Sequence, residues 1–159
     1  MRQTINNYQI NKRLSGEGNS EINQLHFYEP RIHEFMPNII YQTESYKLIG
    51  KLFEVHNNLG KGFLEIVYKD AIEYELKKSK IHFDREKEYL VNYKDVILKH
   101  KFYADFVVFD KIILEVKSCK NISDSHIAQA INYLKVSNNK LAVIVNFNKD
   151  SLEYKRIVI

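Results

Sequence analysis

From Glu44 onward the apolar positions repeat at helical spacing, with Leu48, Ile49, Leu52, Phe53 and Leu59 on one stripe and Gly60 as a C-terminal stop. Gly62 then precedes a second helical stretch, about Leu64 to Lys80, striped by Val67, Tyr68, Ala71, Ile72 and Leu76. The pattern next turns strand-like in three stretches, about 86–94, 100–109 and 112–118. Two short polar turns, Lys94-Asp95 and Asp110-Lys111, join them in the manner of hairpins. Ser123 or Asp124 can cap a further helix to about Lys135, with Ile127, Ala130, Ile131 and Leu134 facing the core. Leu141 to Phe147 is a continuous apolar run and reads as a buried strand; Tyr154 to Ile159 reads as one more. The order α-α-β-β-β-α-β-β predicts a mixed α/β sandwich.

Residues 1–43 look different. They are rich in Asn, Gln and Ser, and both prolines of the chain, Pro30 and Pro37, lie there. We expect a loosely structured N-terminal arm followed by one domain over 44–159, a division that suits a chain of 159 residues. No apolar run is long enough to cross a membrane, and Met1 to Ile10 is too polar for a signal peptide, so the expected location is the cytoplasm. The one cysteine, Cys119, cannot build an internal disulfide, a Cys-rich zinc site or a four-Cys iron–sulfur cluster.

Charge adds a direction. The chain carries 24 Lys and Arg against 20 Asp and Glu, and the surplus sits in the body after residue 45. A mildly basic body is compatible with a polyanionic partner. Lys61, Lys69, Lys99, Lys101 and Lys120 are the residues expected to meet backbone phosphates, which would make binding salt-sensitive.

The segment from Phe102 to Lys117 carries the strongest chemical signal. Side chains alternate faces along a strand, so Glu115 and Lys117 share one face. With the turn centred on Asp110, residues whose numbers sum to 220 stand opposite, which pairs Asp105 with Glu115. Val107 and Ile113 share that face. Phe102, Ala104, Phe106, Val108, Ile112, Leu114 and Val116 are expected on the reverse, so both faces are largely apolar, as in a central strand. Two opposed carboxylates in such a place require a cation. Lys117 is one candidate, giving a simple salt-bridge cluster; a hard divalent metal is the other. One lysine serves one carboxylate well but hardly both, which favours the metal.

Asp105 followed by Glu115-Val116-Lys117 across a hairpin resembles the D…ExK core of the PD-(D/E)XK nuclease superfamily. Gly62-Phe-Leu-Glu65-Ile-Val-Tyr68 is similar to the signature of the GxxExxY proteins, a bacterial group placed in that superfamily. The likeness continues through Gln129-Ala-Ile-Asn-Tyr133-Leu134 and the ending Val145-Asn146-Phe147 … Lys155-Arg156-Ile157-Val158, and so covers roughly residues 44–159. The proline that gives the superfamily its name is Ala104 here.

The resemblance implies a restriction-endonuclease-like αβββαβ core and a metal-dependent nuclease acting on DNA more than RNA. By position, Asp105 and Glu115 would ligate Mg2+ or Mn2+, with the Val116 carbonyl as a further ligand. Lys117 would orient or help deprotonate the attacking water. Glu65, early on its helix, would be a supporting acid. His126, Gln129 and Tyr133 fall on one polar stripe of the later helix, apart from its apolar stripe, and would line the site. Tyr68 would either join them or belong to the core of the domain. A homodimer is a possible assembly, and the arm over 1–43 is a candidate contact for a partner protein. The rival expectation is a non-catalytic nucleic-acid-binding or regulatory subunit that keeps the fold.

Overall fold

A computed structural model describes residues 39–159 of the chain; the expected arm therefore lies, but for its last few residues, outside the described residues. Eight elements follow the predicted order: α1 (Gln42–Leu59), α2 (Glu65–Lys78), β1 (Phe83–Tyr93), β2 (Val96–Val108), β3 (Ile112–Lys117), α3 (Asp124–Ser137), β4 (Leu141–Asn146) and β5 (Glu153–Val158). The first helix begins two residues before Glu44, and Ile40 and Tyr41 already pack against the core.

The strands form one mixed sheet in the order β1-β2-β3-β4-β5. Only β3 and β4 run parallel, and α3 supplies the crossover that parallel neighbours need. Every residue of β3 but Lys117, and every residue of β4, is buried, as expected of central strands covered on both faces. One face, carrying Phe106, Val108, Leu114, Val116, Val143 and Val145, packs on Leu48 and Leu52 of α1 and on Tyr68, Ile72 and Leu76 of α2. The other, carrying Val107, Ile113, Ala142 and Ile144, packs on Ala130, Tyr133 and Leu134 of α3.

Two stripe assignments change. On α3 the buried face centres on Ala130, Tyr133 and Leu134, while Ile131 is only half-buried. Tyr133 therefore belongs to the core-facing side and not to a separate polar stripe. Its ring packs edge-on against Phe102, with centroids 5.7 Å apart. On α1, Phe53 lies at the edge of the stripe and is 40% exposed, meeting Tyr154 of β5 edge-on.

The β2–β3 hairpin has the expected register: Phe106, Val107 and Val108 pair with Leu114, Ile113 and Ile112, each pair summing to 220. The ladder stops there, one pair short of Asp105 and Glu115. On the other side of β2 the register to β1 also omits one position, between Arg85↔Phe106 and Lys87↔Ala104. That position is Glu86 against Asp105, and Glu86 has φ 52°. This local irregularity overturns the simple alternation expected for β2. Ala104 and Phe102 lie on the α3 face with Val107, while Phe106 stays on the α1/α2 face. A left-handed glutamate inside a strand costs on the order of 1 kcal/mol, and such strain concentrates at functional positions.

Candidate active site

Asp105 and Glu115 lie where β2 and β3 separate beyond Phe106 and Leu114. Freed from ladder pairing, the two strands are tied by side chains instead. Val116 N–H donates to Asp105 Oδ2 at 2.7 Å, and Asp105 N–H donates to Glu115 Oε1 at 3.3 Å. The residues are 7% and 1% exposed, so both carboxyl groups are well removed from solvent. Burial, and then the charge of Asp105, pushes the Glu115 carboxyl up to about 7, against the pull of Lys117.

Each acid has its own lysine. Lys117, at i+2 on the same strand face, brings Nζ to 3.4 Å from Glu115 Oε2. Lys69 of α2 ion-pairs with Asp105 Oδ1 and with Glu86 Oε1, the latter at 2.9 Å. Burial pulls the Lys69 ammonium down, but the hydrogen bonds it donates to Asp105 and Glu86 overcome this and leave the group raised. With a second lysine present, each carboxylate has an ammonium partner, and the pair does not by itself require a metal. The signal of the second lysine was legible: Lys69 stands four residues after Glu65, one helical turn on, and so shares the face that Glu65 presents. Lys69, expected at the surface as a phosphate contact, is instead largely buried between Asp105 and Glu86. Of the other basic residues expected at phosphates, Lys61 pairs with Asp150 and Lys101 with Glu88.

Glu65 opens α2, where a carboxylate is favoured by the positive end of the helix. Its Oε1 accepts the Ser118 N–H at 3.0 Å, and Ser118 Oγ donates to Phe63 O at 2.7 Å. The loop before α2 is thereby fastened to the end of β3, directly beyond Lys117. Gly60 (φ 67°) and Gly62 (φ 104°) form that loop, both in the left-handed range that glycine tolerates.

Tyr68 takes the core alternative. It is fully buried and stacked on Phe147 at 4.4 Å, and its hydroxyl donates to Gly60 O and accepts from Phe63 N–H. It shapes the loop from within the core. His126 is also committed elsewhere: its Nδ1 accepts the Ser123 N–H at 3.2 Å at the start of α3. Gln129 and Tyr133 act together. Gln129 Nε2 donates to the Tyr133 hydroxyl at 3.2 Å, and that hydroxyl donates to Tyr103 O at 2.7 Å, two residues before Asp105. Burial first, and then the charge of Glu115, raises the Tyr133 phenol, so this side chain lies within the field of the acids.

Asn146 is a further residue that sequence reasoning passed over. It is fully buried, opposite Lys117 in the parallel β3–β4 register. Its amide donates to Cys119 O and Glu153 Oε2, both at 2.9 Å, and its Oδ1 accepts from Cys119 N–H and Asn148 N–H. It thus fixes the chain leaving Lys117. A polar residue closing the apolar run Leu141–Val145 is the signal that could have found it.

Among the described residues no three His, Cys, Asp or Glu side chains converge as a ready metal cage. The donor chemistry nevertheless suits a hard divalent cation, which takes carboxylate and peptide oxygens and completes its shell with water. Where such an ion would be held, two ammonium groups now neutralise the acids.

No curated protein matches the chain significantly. Among solved structures, the chain is similar to that titled "Crystal structure of SSO0001", with a TM-score of 0.50 and 22% identity, a likeness of fold. The alignment covers 74% of this chain and 59% of that one. Residues 42–157 match the family described as the PD-(D/E)XK nuclease superfamily. With the five-stranded mixed sheet, its helical layers and a match over most of its length, the chain belongs to the PD-(D/E)XK nuclease superfamily.

Proposed function

We propose that this protein is a metal-dependent nuclease that hydrolyses phosphodiester bonds of nucleic acid, DNA in preference to RNA. The observation that carries the reading is the pair of buried carboxylates at the parting of β2 and β3, with Lys117 beside them, in a chain of a nuclease superfamily. Asp105 and Glu115 are the side chains to hold Mg2+ or Mn2+. In extended backbone the N–H and C=O of a residue leave the same strand edge, so the bond from Val116 N–H to Asp105 supports the Val116 carbonyl as a third donor. The bound metal supplies an acidified water and neutralises charge on the phosphoryl oxygens.

The chain's own groups do the rest. Lys117 holds and orients the attacking water and faces the charge that grows on the phosphate. Glu65 keeps the end of β3 in place through Ser118, and Gln129 with Tyr133 holds the backbone leading to Asp105. We read residues 62–68 as the GxxExxY segment. Gly62 in a left-handed conformation, Glu65 at the helix start and Tyr68 bonded to the loop support that assignment.

One observation favours a second reading. Both carboxylates already have ammonium partners, as in a centre neutralised within itself, which suits a nucleic-acid-binding subunit without turnover. Incubation with labelled single-stranded DNA, duplex DNA and RNA, each with Mn2+, Mg2+ or EDTA, separates the two. Metal-dependent cutting by the wild type, lost in Asp105→Ala, Glu115→Ala and Lys117→Ala proteins that remain folded, is the expected result. Salt-sensitive binding without cutting would support the subunit instead.

A further inference from the structure

Lys69 stands between two carboxylates of different depth. Asp105 is an inner group, with a side chain 10% exposed, and Glu86 an outer one, at 49%. Lys69 itself is 14% exposed, and its Nζ touches both. The two oxygens of Asp105 have different duties. Oδ2 accepts the Val116 N–H, and Oδ1 is the one that Lys69 holds. A divalent cation on Asp105 would meet the ammonium at that oxygen, and two cations there repel strongly in a site shielded from water. Glu86 is already within hydrogen-bond distance of the same ammonium, so Lys69 need only rotate its side chain to leave Asp105 and stay paired. The left-handed backbone of Glu86, opposite Asp105 in register, belongs to the irregularity at which this outer carboxylate meets the lysine.

We propose that Lys69 is a displaceable counter-ion of the centre, held by Asp105 when no divalent metal is bound and passed to Glu86 when one binds. This rests on the metal-centre reading above and extends it to two residues, Lys69 and Glu86, that set how tightly the metal is held. Lys69 lowers metal affinity by competing for Asp105, and Glu86 restores part of it by receiving the lysine.

The test is calorimetric titration of the 159-residue chain with Mn2+ alone, at fixed pH and ionic strength, with melting curves confirming that each variant is folded. Lys69→Gln should tighten Mn2+ binding about tenfold, and Lys69→Arg should bind close to wild type because the competing charge is kept. Lys69→Met serves the same purpose if the glutamine disturbs packing. Glu86→Gln should weaken binding several-fold, and in a Lys69→Gln background it should change almost nothing, since its effect runs through the lysine. Unchanged affinity in Lys69→Gln would overturn the inference. So would a Glu86→Gln effect of equal size in both backgrounds, which would make Glu86 a plain contributor to the local field. If neither wild type nor Lys69→Gln binds Mn2+, the metal-centre reading falls as well.

Discussion

Glu115 is the residue whose ionisation the fold alters most clearly. Its carboxyl is raised from an ordinary glutamate value to about 7 by burial and by Asp105, so the folded protein retains a proton that the unfolded chain releases. The native state then binds more protons than the unfolded state between about pH 4.5 and 7, and this contribution to stability is lost as pH rises through that window. At 1.36 kcal/mol per pH unit the loss is at most about 3 kcal/mol. Without metal, Glu115→Gln should melt at a temperature less sensitive to pH over this range and should exceed wild type above pH 7. A parallel pH dependence of the two proteins would show that the acid is not strained by its site. Asn146 is the opposite case, a buried group with every bond satisfied. Asn146→Ala leaves Cys119 N–H and O without partners and should cost about 2–4 kcal/mol, read from denaturant midpoints.

Among the elements, α2 and α3 act on the acids from opposite faces of the sheet. The turn before α2 depends on Gly62, whose φ of 104° is strained for any residue with a Cβ although nothing lies within 4 Å of one. Gly62→Ala should therefore destabilise by about 1 kcal/mol through the backbone alone, and it should loosen the Glu65 link to Ser118. Hydrogen exchange at the Ser118 amide would report that loosening. From α3, Tyr133 reaches across to the β2 backbone. Tyr133→Phe keeps the ring packing and removes the bond to Tyr103 O, so a loss of about 1 kcal/mol is expected, with a larger proportional loss of Mn2+ affinity than of stability. Equal effects would reduce Tyr133 to a core residue.

For the molecule as a whole, one sheet joins two apolar layers. Leu114 and Ile113 are adjacent in β3 and point to opposite layers, one toward α1 and α2, the other toward α3. Both are fully buried, so Leu114→Ala and Ile113→Ala should each cost about 2–5 kcal/mol. Each should shift a single melting transition, since the central strands carry both layers in one cooperative unit. Two separate transitions in either variant would divide the layers. No helix of the described residues is long and apolar enough to cross a membrane, in keeping with this burial of apolar faces within the domain.

Much of this architecture is legible in the sequence. The element order follows from hydrophobic periodicity, and the hairpin register from the position of a polar turn, because both depend on near neighbours in the chain. The same reasoning placed Asp105, Glu115 and Lys117 close together on two adjacent strands, whereas the family was suggested by the resemblance of their motif. What it missed depends on contacts distant in sequence or on departures from regular backbone. Lys69 meets Asp105 from another element, Asn146 meets Cys119 across the sheet end, Glu86 of β1 leaves the strand conformation, and Ala104 and Phe102 of β2 lie on the α3 face. Tyr68 is buried whole, and Tyr133 buries its ring while its hydroxyl reaches the β2 backbone, because an aromatic ring gains by burial and a phenol hydroxyl needs a partner. Local pattern determined the elements and the two acids; only the packing of α2 against the sheet decided that each acid has a lysine of its own, because an ion pair between separate elements exists only once they are packed.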